Sequence, residues 1–295
     1  MKTQFYTKDF IPCLIIFKPA MKSFSPPIFL LIIFIFSQQN LWAQAEQFPE
    51  YSYKINKDYI KSYWTVVKKI PTGPARWKAG EWAAFSGIIV GGAVIYAFDD
   101  EIRKWVQRYP THAKDNISKY GFEPWGSGLY PAFLLGGIYI YGWAAKDNRA
   151  KQIAMGGAQV FIMTGLTTQI IKHLTHRHRP NQDVPPNPRL WEGPFTGWDY
   201  TSFPSGHTST AFALASFISS VYRDKIWVGI LSYAVATGVA WSRVYDNNHW
   251  PTDVLIGAAL GFAIGKTVYH VMQGKTNISF GFSDYGGISM VYHIK

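Results

Sequence analysis

Six apolar segments separated by polar links make up most of the chain. None of them alternates apolar and polar residues in the way that is typical of a half-buried strand. Small residues are frequent in them, as in GIIVGGAVIYAF and IGAALGFAIG, and such residues favour close packing of helices in a membrane. The pattern predicts an all-α fold, a six-helix bundle that is embedded in a membrane. The segments are residues 82–98, 127–145, 152–171, 208–222, 226–241 and 254–272.

Several segments are shorter than the roughly 20 residues that a comfortable membrane span requires. A compact, exported helical bundle outside the membrane is therefore the alternative on length alone. The composition fits either arrangement, because 48% of the residues are hydrophobic and 17% are aromatic. Such a chain can bury a large core and is too apolar for disorder.

The N-terminal region has the pattern of an export signal. Lys22 follows Met21, a possible translation start, and precedes the apolar run PPIFLLIIFIF, and Ala43-Gln44-Ala45 provides a small-x-small cleavage site. An uncleaved anchor helix is the alternative. The predicted domains are an export signal at 1–45, a polar lead at 46–81, a helical domain at 82–272 and a tail at 273–295, whose alternation around SDYGG predicts a short C-terminal β-hairpin.

Charged residues in the short links predict an orientation. The links KDNRAK and RDK are net positive, and the positive-inside rule places such links in the cytoplasm and the opposite helix ends outside. We therefore expect a cell-membrane protein whose chemically active face lies on the periplasmic or exterior side. The basic lead would then lie in the cytoplasm if all six segments span, whereas a cleaved signal would place it outside. The sequence leaves both topologies open.

The net charge of +11 suits a membrane surface or an anionic substrate. No basic helix or groove-reading motif accompanies this charge, so we expect no nucleic-acid partner. The chain has a single cysteine, Cys13, which excludes both a disulfide framework and a zinc site built from cysteines.

Chemically active side chains concentrate at the predicted outer ends of four segments. The third segment ends in KHLTHRHRP, the fourth follows PSGH, the fifth ends in SR at Ser242 and Arg243, and the sixth opens with HWPTD. The stretch 208–241 has room for two helices of roughly 22 to 25 Å joined by a tight turn at Asp224-Lys225. The chain therefore leaves this face after His207 and returns to it at Arg243.

Two of these motifs allow a structural or a chemical interpretation. Ser205 can cap the helix that follows it, or the first turn of that helix can bind an anion such as phosphate. Asp253 lies four residues after His249, so its carboxylate can fix the imidazole tautomer and leave Nε2 free to attack or to bind a metal. Ordinary helix capping is the alternative for this pair as well.

The three stretches KHLTHRHRP, PSGH and SRVYDNNHWPTD resemble, without a gap, the signature K-x6-R-P, P-S-G-H and S-R-x5-H-x3-D of the type 2 phosphatidic acid phosphatase and vanadium haloperoxidase superfamily. The resemblance covers about residues 82–272, and it favours the membrane lipid-phosphatase branch. It implies a phosphatase that acts on a lipid phosphate at the membrane, such as phosphatidic acid, phosphatidylglycerol phosphate, undecaprenyl diphosphate or lipid A.

The same resemblance implies a role for each side chain. His249 would attack phosphorus and form a phosphohistidine, oriented by Asp253, while His207 would protonate the leaving oxygen and later activate water. The non-bridging oxygens would be held by Lys172, Arg179, Arg243, Ser205 and the amide of Gly206. Three cations and helix N-termini can compensate the charge of a transferring phosphoryl group without a metal, so we expect no cofactor.

A vanadate-dependent haloperoxidase is the alternative function, since vanadate occupies the same anion site in that branch. A soluble, exported acid phosphatase of the same superfamily is a further alternative. His173, His176 and His178 crowd the first motif, but no carboxylate or cysteine accompanies them at metal-ligand spacing. We expect these histidines, and Arg177 between them, to add positive potential or to lie at the membrane surface.

Overall fold

The computed structural model describes residues 53–194, 196–273, 278–282 and 288–292. The predicted export signal at 1–45 lies outside these residues. The predicted helical class is confirmed, since most of the described residues are helical. The α-helices are α1 Lys57–Thr72, α2 Ala79–Ala97, α3 Asp99–Val106, α4 His112–Asn116, α5 Glu123–Ser127, α6 Leu129–Ala144, α7 Asn148–Thr175, α8 Gly206–Val221, α9 Ile226–Tyr245 and α10 Pro251–Met272.

Each of the six apolar segments forms a helix, but the predicted count of six helices is wrong. Helix α1 precedes them, and the first interhelical link folds into the short helices α3, α4 and α5. These helices have local signals instead of long apolar runs: the Asn56 side chain accepts a hydrogen bond from the Tyr59 amide, and Thr111 caps α4 in the same way. Side-chain caps satisfy the free amides of a helix start and stabilise helices that are too short to form alone.

The tail contains two strands, β1 Ile278–Phe282 and β2 Ile288–Tyr292, which pair in antiparallel register. The turn that would join them, at 283–287, lies outside the described residues, so the C-terminal hairpin stays a prediction.

Close packing of α8 against α10 brings their N-terminal ends together. Gly257, Gly261 and Gly265 of α10 face α8, and a Cβ atom at Gly261 would lie 2.1 Å from the carbonyl oxygen of Ser209. The two backbones can approach this closely only because glycine has no side chain. At the start of the pair, the Ser205 amide donates a 3.0 Å hydrogen bond to the carbonyl of Asp253. The loop before α8 and the first turn of α10 are thereby fixed to each other.

Two helices within the described residues, α2 and α10, are long and apolar enough to cross a membrane. The other apolar helices do not meet both criteria, and α6 is only 16 residues long. Within α2, Gly92 is the only buried residue, and large apolar side chains such as Ile89, Val90 and Val94 are exposed. A largely apolar helix that is exposed over most of its length favours a nonaqueous neighbour, which is consistent with a membrane protein.

Candidate active site

The structure brings all the predicted site residues to one end of the bundle. Lys172 lies in the last turn of α7, His207 in the first turn of α8, Arg243 in the last turn of α9 and Asp253 in the first turn of α10. Because α8 and α9 are antiparallel and joined by a short turn, the chain leaves this face at the start of α8 and returns to it at the end of α9. Arg179 and His249 lie in the adjoining loops.

His249 is 2% exposed and lies one residue before the N-cap of α10. Its Nδ1 lies 3.7 Å from Oδ2 of Asp253, which is longer than a hydrogen bond. The Ser202 hydroxyl lies beside both groups: it donates to Oδ2 of Asp253 at 2.5 Å and lies 3.5 Å from Nδ1 of His249. The two side chains are therefore adjacent but not hydrogen-bonded to each other, and the Ser202 hydroxyl lies beside both.

Burial lowers the pKa of His249 to about 3, although the Asp253 carboxylate acts in the opposite direction, and the Lys172 ammonium lowers the pKa further. The imidazole is thus neutral at physiological pH. A neutral imidazole has a nitrogen lone pair that can attack an electrophile.

Two cations lie together beside His249. The Lys172 ammonium donates to the carbonyl oxygen of Thr201, and one nitrogen of Arg179 lies 3.5 Å from the same oxygen and 3.3 Å from the Thr201 hydroxyl. Burial lowers the pKa of Arg179, against the attraction of Asp253. Both cations therefore pay a desolvation cost that a bound anion would offset.

Arg243 is the third cation of this face and is 4% exposed. Its guanidinium donates to Asp246 at 2.9 Å and to the Ser242 hydroxyl at 3.1 Å, and it interacts electrostatically with both His207 and Arg179. The backbone carbonyl of Arg243 accepts a hydrogen bond from the His249 amide at 3.2 Å. The end of α9 is thereby joined to the loop that carries His249.

At the start of α8, the Ser205 side chain does not cap the helix. Its hydroxyl instead accepts a 3.0 Å hydrogen bond from Thr208, so the capping interpretation of Ser205 is wrong. Gly206 is the first residue of α8, and the Lys172 side chain approaches its open face. Next to it, Nε2 of His207 lies 3.2 Å from Oε1 of Glu123 in α5.

Arg177 is fully buried, so the interpretation that it lies at the membrane surface is wrong. Its guanidinium donates to Asp253 at 2.5 Å and to Asp99 at 2.6 Å, and the Trp191 ring lies 4.8 Å away. Asp99 in turn accepts hydrogen bonds from the amide and hydroxyl of Thr252 in the first turn of α10. We call Asp99, Arg177 and Asp253 the buried ion network.

Both oxygens of the Asp253 carboxylate accept hydrogen bonds, one of them from the buried ion network. Oδ1 accepts from Arg177, and Oδ2 accepts from Ser202 and, at 3.0 Å, from the Trp250 amide. Because each oxygen has a charged or hydrogen-bonded partner, the orientation of the carboxylate next to His249 is fixed by groups from three parts of the chain.

Two of the three crowded histidines are buried, which contradicts a location at the surface. His176 is 1% exposed and contacts the carbonyls of Gly193 and Gly197. His178 lies between Asp183 and Glu192, at 3.0 and 2.9 Å. These contacts attach the loop between the first two motifs to the bundle. Among the described residues no group of three or more histidine, cysteine or acidic residues is placed to hold a metal ion.

Four residues of the site were not predicted: Asp99, Glu123, Arg177 and Ser202. Arg177 lies inside the first motif between two histidines, and the local sequence does not indicate that it contacts carboxylates elsewhere in the chain. Asp99 and Glu123 lie in the first interhelical link, which has no local signal for the site, and only the tertiary fold brings them to it.

One protein-family model matches the region that contains all the predicted site residues. Residues 155–277 match the model of the PAP2 superfamily. Asp99 and Glu123 lie before the matched region.

Several curated relatives of the chain are phosphatases by name. The lipid A 1-phosphatase of Porphyromonas gingivalis is 42% identical over 188 residues, which are 62% of this chain and 37% of that protein. The probable diacylglycerol pyrophosphate phosphatase 1 of Schizosaccharomyces pombe is 28% identical over 172 residues, 48% of this chain and 60% of that protein. The chain thus spans less than two thirds of these relatives.

Among solved structures, the chain is similar to a transmembrane PAP2-type phosphatidylglycerolphosphate phosphatase from Bacillus subtilis. The sequences are 21% identical, the TM-score is 0.43, and the match covers 75% of this chain and 98% of the other.

Proposed function

We propose that this protein is a phosphatase that hydrolyses a lipid phosphate or diphosphate through a phosphohistidine, because residues 155–277 match the model of the PAP2 superfamily. The observation that carries the proposal is the arrangement around His249: a buried, neutral imidazole beside a fixed carboxylate, with Lys172 and Arg179 sharing one acceptor next to it.

In the first step of the proposed reaction, Nε2 of His249 attacks phosphorus and the bond to the leaving oxygen breaks. The leaving oxygen takes a proton from His207. Asp253 accepts the Nδ1 proton of His249 in a hydrogen bond and stabilises the positive charge that the ring acquires. This requires the 3.7 Å gap between the two side chains to shorten when substrate binds, as catalytic hydrogen bonds often do.

In the second step, His207 takes a proton from water, the oxygen of that water attacks phosphorus, and the P–N bond breaks. The electron pair of that bond returns to His249. Throughout both steps, Lys172, Arg179 and Arg243 compensate the negative charge on the non-bridging oxygens, with help from Ser205 and the Gly206 amide. Charge compensation and positioning are the main requirements of phosphoryl transfer, so the proposal includes no metal.

Lipid A is the first substrate to test, because the relative with 42% identity is a lipid A 1-phosphatase. Phosphatidic acid, phosphatidylglycerol phosphate and undecaprenyl diphosphate belong to the same class of lipid phosphates. We further propose that the bundle is embedded in the cell membrane through its apolar helices and that the site opens to the periplasmic or exterior side. The exposed apolar surface of α2 supports the membrane location.

Phosphate release from these four lipids and from p-nitrophenyl phosphate tests the proposal, with the protein purified in detergent and assayed in EDTA. We expect wild type to release phosphate and His249→Ala to release none. His112→Ala is the matched control, because His112 is exposed at the start of α4, and it should keep full activity.

Equal activity of wild type and His249→Ala would overturn the phosphohistidine mechanism. Halide oxidation after addition of vanadate and peroxide, without phosphate release from any ester, would identify a haloperoxidase instead.

A further inference from the structure

Helix α5 is held unusually close to the start of α8. A Cβ atom at Gly126 of α5 would lie 2.6 Å from Cβ of His207 and 2.8 Å from a methyl group of Val239 in α9. On the other side, a Cβ atom at Gly238 of α9 would lie 2.1 Å from the Phe122 ring, which directly precedes α5. The absence of a side chain at both glycines lets α5 pack between α8 and α9.

This packing places Glu123 against His207. Glu123 lies three residues before Gly126, so both residues are on the same face of the helix turn. Its Oε1 is 3.2 Å from Nε2 of His207, and both side chains are about one third exposed, at 35% and 32%. The carboxylate thus lies at the edge of the site, where it contacts the imidazole and also reaches solvent.

The other charged groups that act on His207 are cations, opposite in sign to Glu123. Burial lowers the pKa of His207, Arg243 on α9 and Lys172 on α7 lower it further, and Glu123 on α5 acts against them and raises it. Asp253 on α10 is occupied by Arg177 and Ser202. Glu123 is therefore the carboxylate that favours the protonated form of His207.

We propose that Glu123 is a positioning residue that keeps the acid proton on Nε2 of His207 until the leaving oxygen of the substrate takes it. This inference rests on the proposed phosphatase function. Before the reaction, the N–H of the imidazolium donates to Glu123. As the P–O bond breaks, the proton moves to the leaving oxygen and His207 becomes neutral, which prepares it to take a proton from water in the second step.

The dependence of kcat/KM on the leaving group tests this inference. An alkoxide leaving group requires a proton, whereas p-nitrophenolate leaves without one, and kcat/KM reports on the step in which the leaving group departs. We expect Glu123→Gln to lower kcat/KM about tenfold for a lipid phosphate and to change it little for p-nitrophenyl phosphate. Glu101→Gln is the matched control, because Glu101 is exposed on α3, and both substrates should be hydrolysed as by wild type.

The pH profile supplies a second readout. A carboxylate near an imidazole favours the charged ring, so its loss should move the basic limb of kcat/KM for the lipid phosphate to lower pH by about one unit. If kcat/KM fell equally for both substrates and the basic limb of the pH profile did not move, the inference would be overturned. Glu123 would then serve only in packing. Faster hydrolysis of both substrates would overturn it as well, since Glu123 would then act by repelling the anionic substrate.

A measurement without turnover separates this inference from the proposed function. In protein labelled with ¹³C at the histidine rings, with the His207 signal assigned from His207→Gln, the midpoint of the His207 titration should fall in Glu123→Gln. An unchanged midpoint would refute the role of Glu123 even if the enzyme is active. A lowered midpoint in a protein that releases no phosphate would refute only the phosphatase function.

Discussion

At the scale of single residues, the site depends on buried charges that hold one another in place. Arg177 is surrounded by two carboxylates, with all three side chains fully buried. A buried ion pair adds little stability over apolar packing, but removal of one member leaves an uncompensated charge in the interior. The buried ion network therefore serves to fix the position of Asp253 more than to stabilise the fold.

We expect Arg177→Ala to lower the free energy of unfolding by about 3–5 kcal/mol and, in the fraction that still folds, to lower kcat with little change in KM. The reason is that Asp253 loses its Oδ1 partner while the cations of the proposed phosphate site remain. Thermal unfolding in detergent and steady-state kinetics measure the two effects. Lys104→Ala, which removes an exposed ion pair with Asp100, should cost about 0–1 kcal/mol and leave kcat unchanged. Wild-type kcat in folded Arg177→Ala would contradict the positioning role.

At the scale of secondary-structure elements, glycines determine how closely the helices approach the site. The contacts of Gly126 and Gly261 leave no space for a methyl group. In contrast, a Cβ atom at Gly136 in the middle of α6 would have no neighbour within 4 Å. The two kinds of glycine therefore predict opposite effects of the same substitution.

Gly126→Ala should lower the free energy of unfolding by about 1–3 kcal/mol, because the methyl group overpacks the contact with His207 and Val239. It should also lower kcat/KM for a lipid phosphate, since α5 must move away from the site and take Glu123 with it. Gly136→Ala, the matched control, should raise stability by about 0.5–1 kcal/mol through its helix propensity. Similar unfolding temperatures for the two variants would contradict this packing.

Sequence patterns predicted the long helices and the convergence of their ends, because apolar runs and motif spacing are local properties. The pairing of the histidine at 249 with the carboxylate at 253 was predicted for the same reason. Asp99 and Glu123 could not be predicted, since they reach the site only through the packing of α3 and α5. Arg177 looked like surface charge because nothing in KHLTHRHRP reveals that two carboxylates, one of them 78 residues upstream, surround it.

At the scale of the whole molecule, apolar residues are exposed along α2 and on other helices of the bundle. Ile89 is 50% exposed in the middle of α2, and Ile60 is 60% exposed on the amphipathic helix α1. In water both positions would tolerate a charge. In a bilayer, only a residue that lies outside the hydrocarbon region would do so.

Ile89→Lys should therefore reduce the amount of protein recovered in the membrane fraction, since a lysine in the centre of a spanning helix costs about 2.5–3.5 kcal/mol. Ile60→Lys should be recovered as wild type, because α1 is polar on average and the new lysine can reach water. Immunoblots of fractionated cells measure both variants. Recovery of Ile89→Lys at the wild-type level would contradict the assignment of α2 as a membrane span.

The separation of the buried ion network along the chain also determines when the site can form during synthesis. Arg177 lies 78 residues after Asp99 and 76 residues before Asp253. Contacts across such distances require closure of long loops and form after the local helices. A nascent chain that has reached the end of α9 already carries all three cations of the proposed phosphate site, but it lacks both His249 and the carboxylate beside it. On the proposed mechanism, hydrolysis therefore begins only after α10 has joined the bundle.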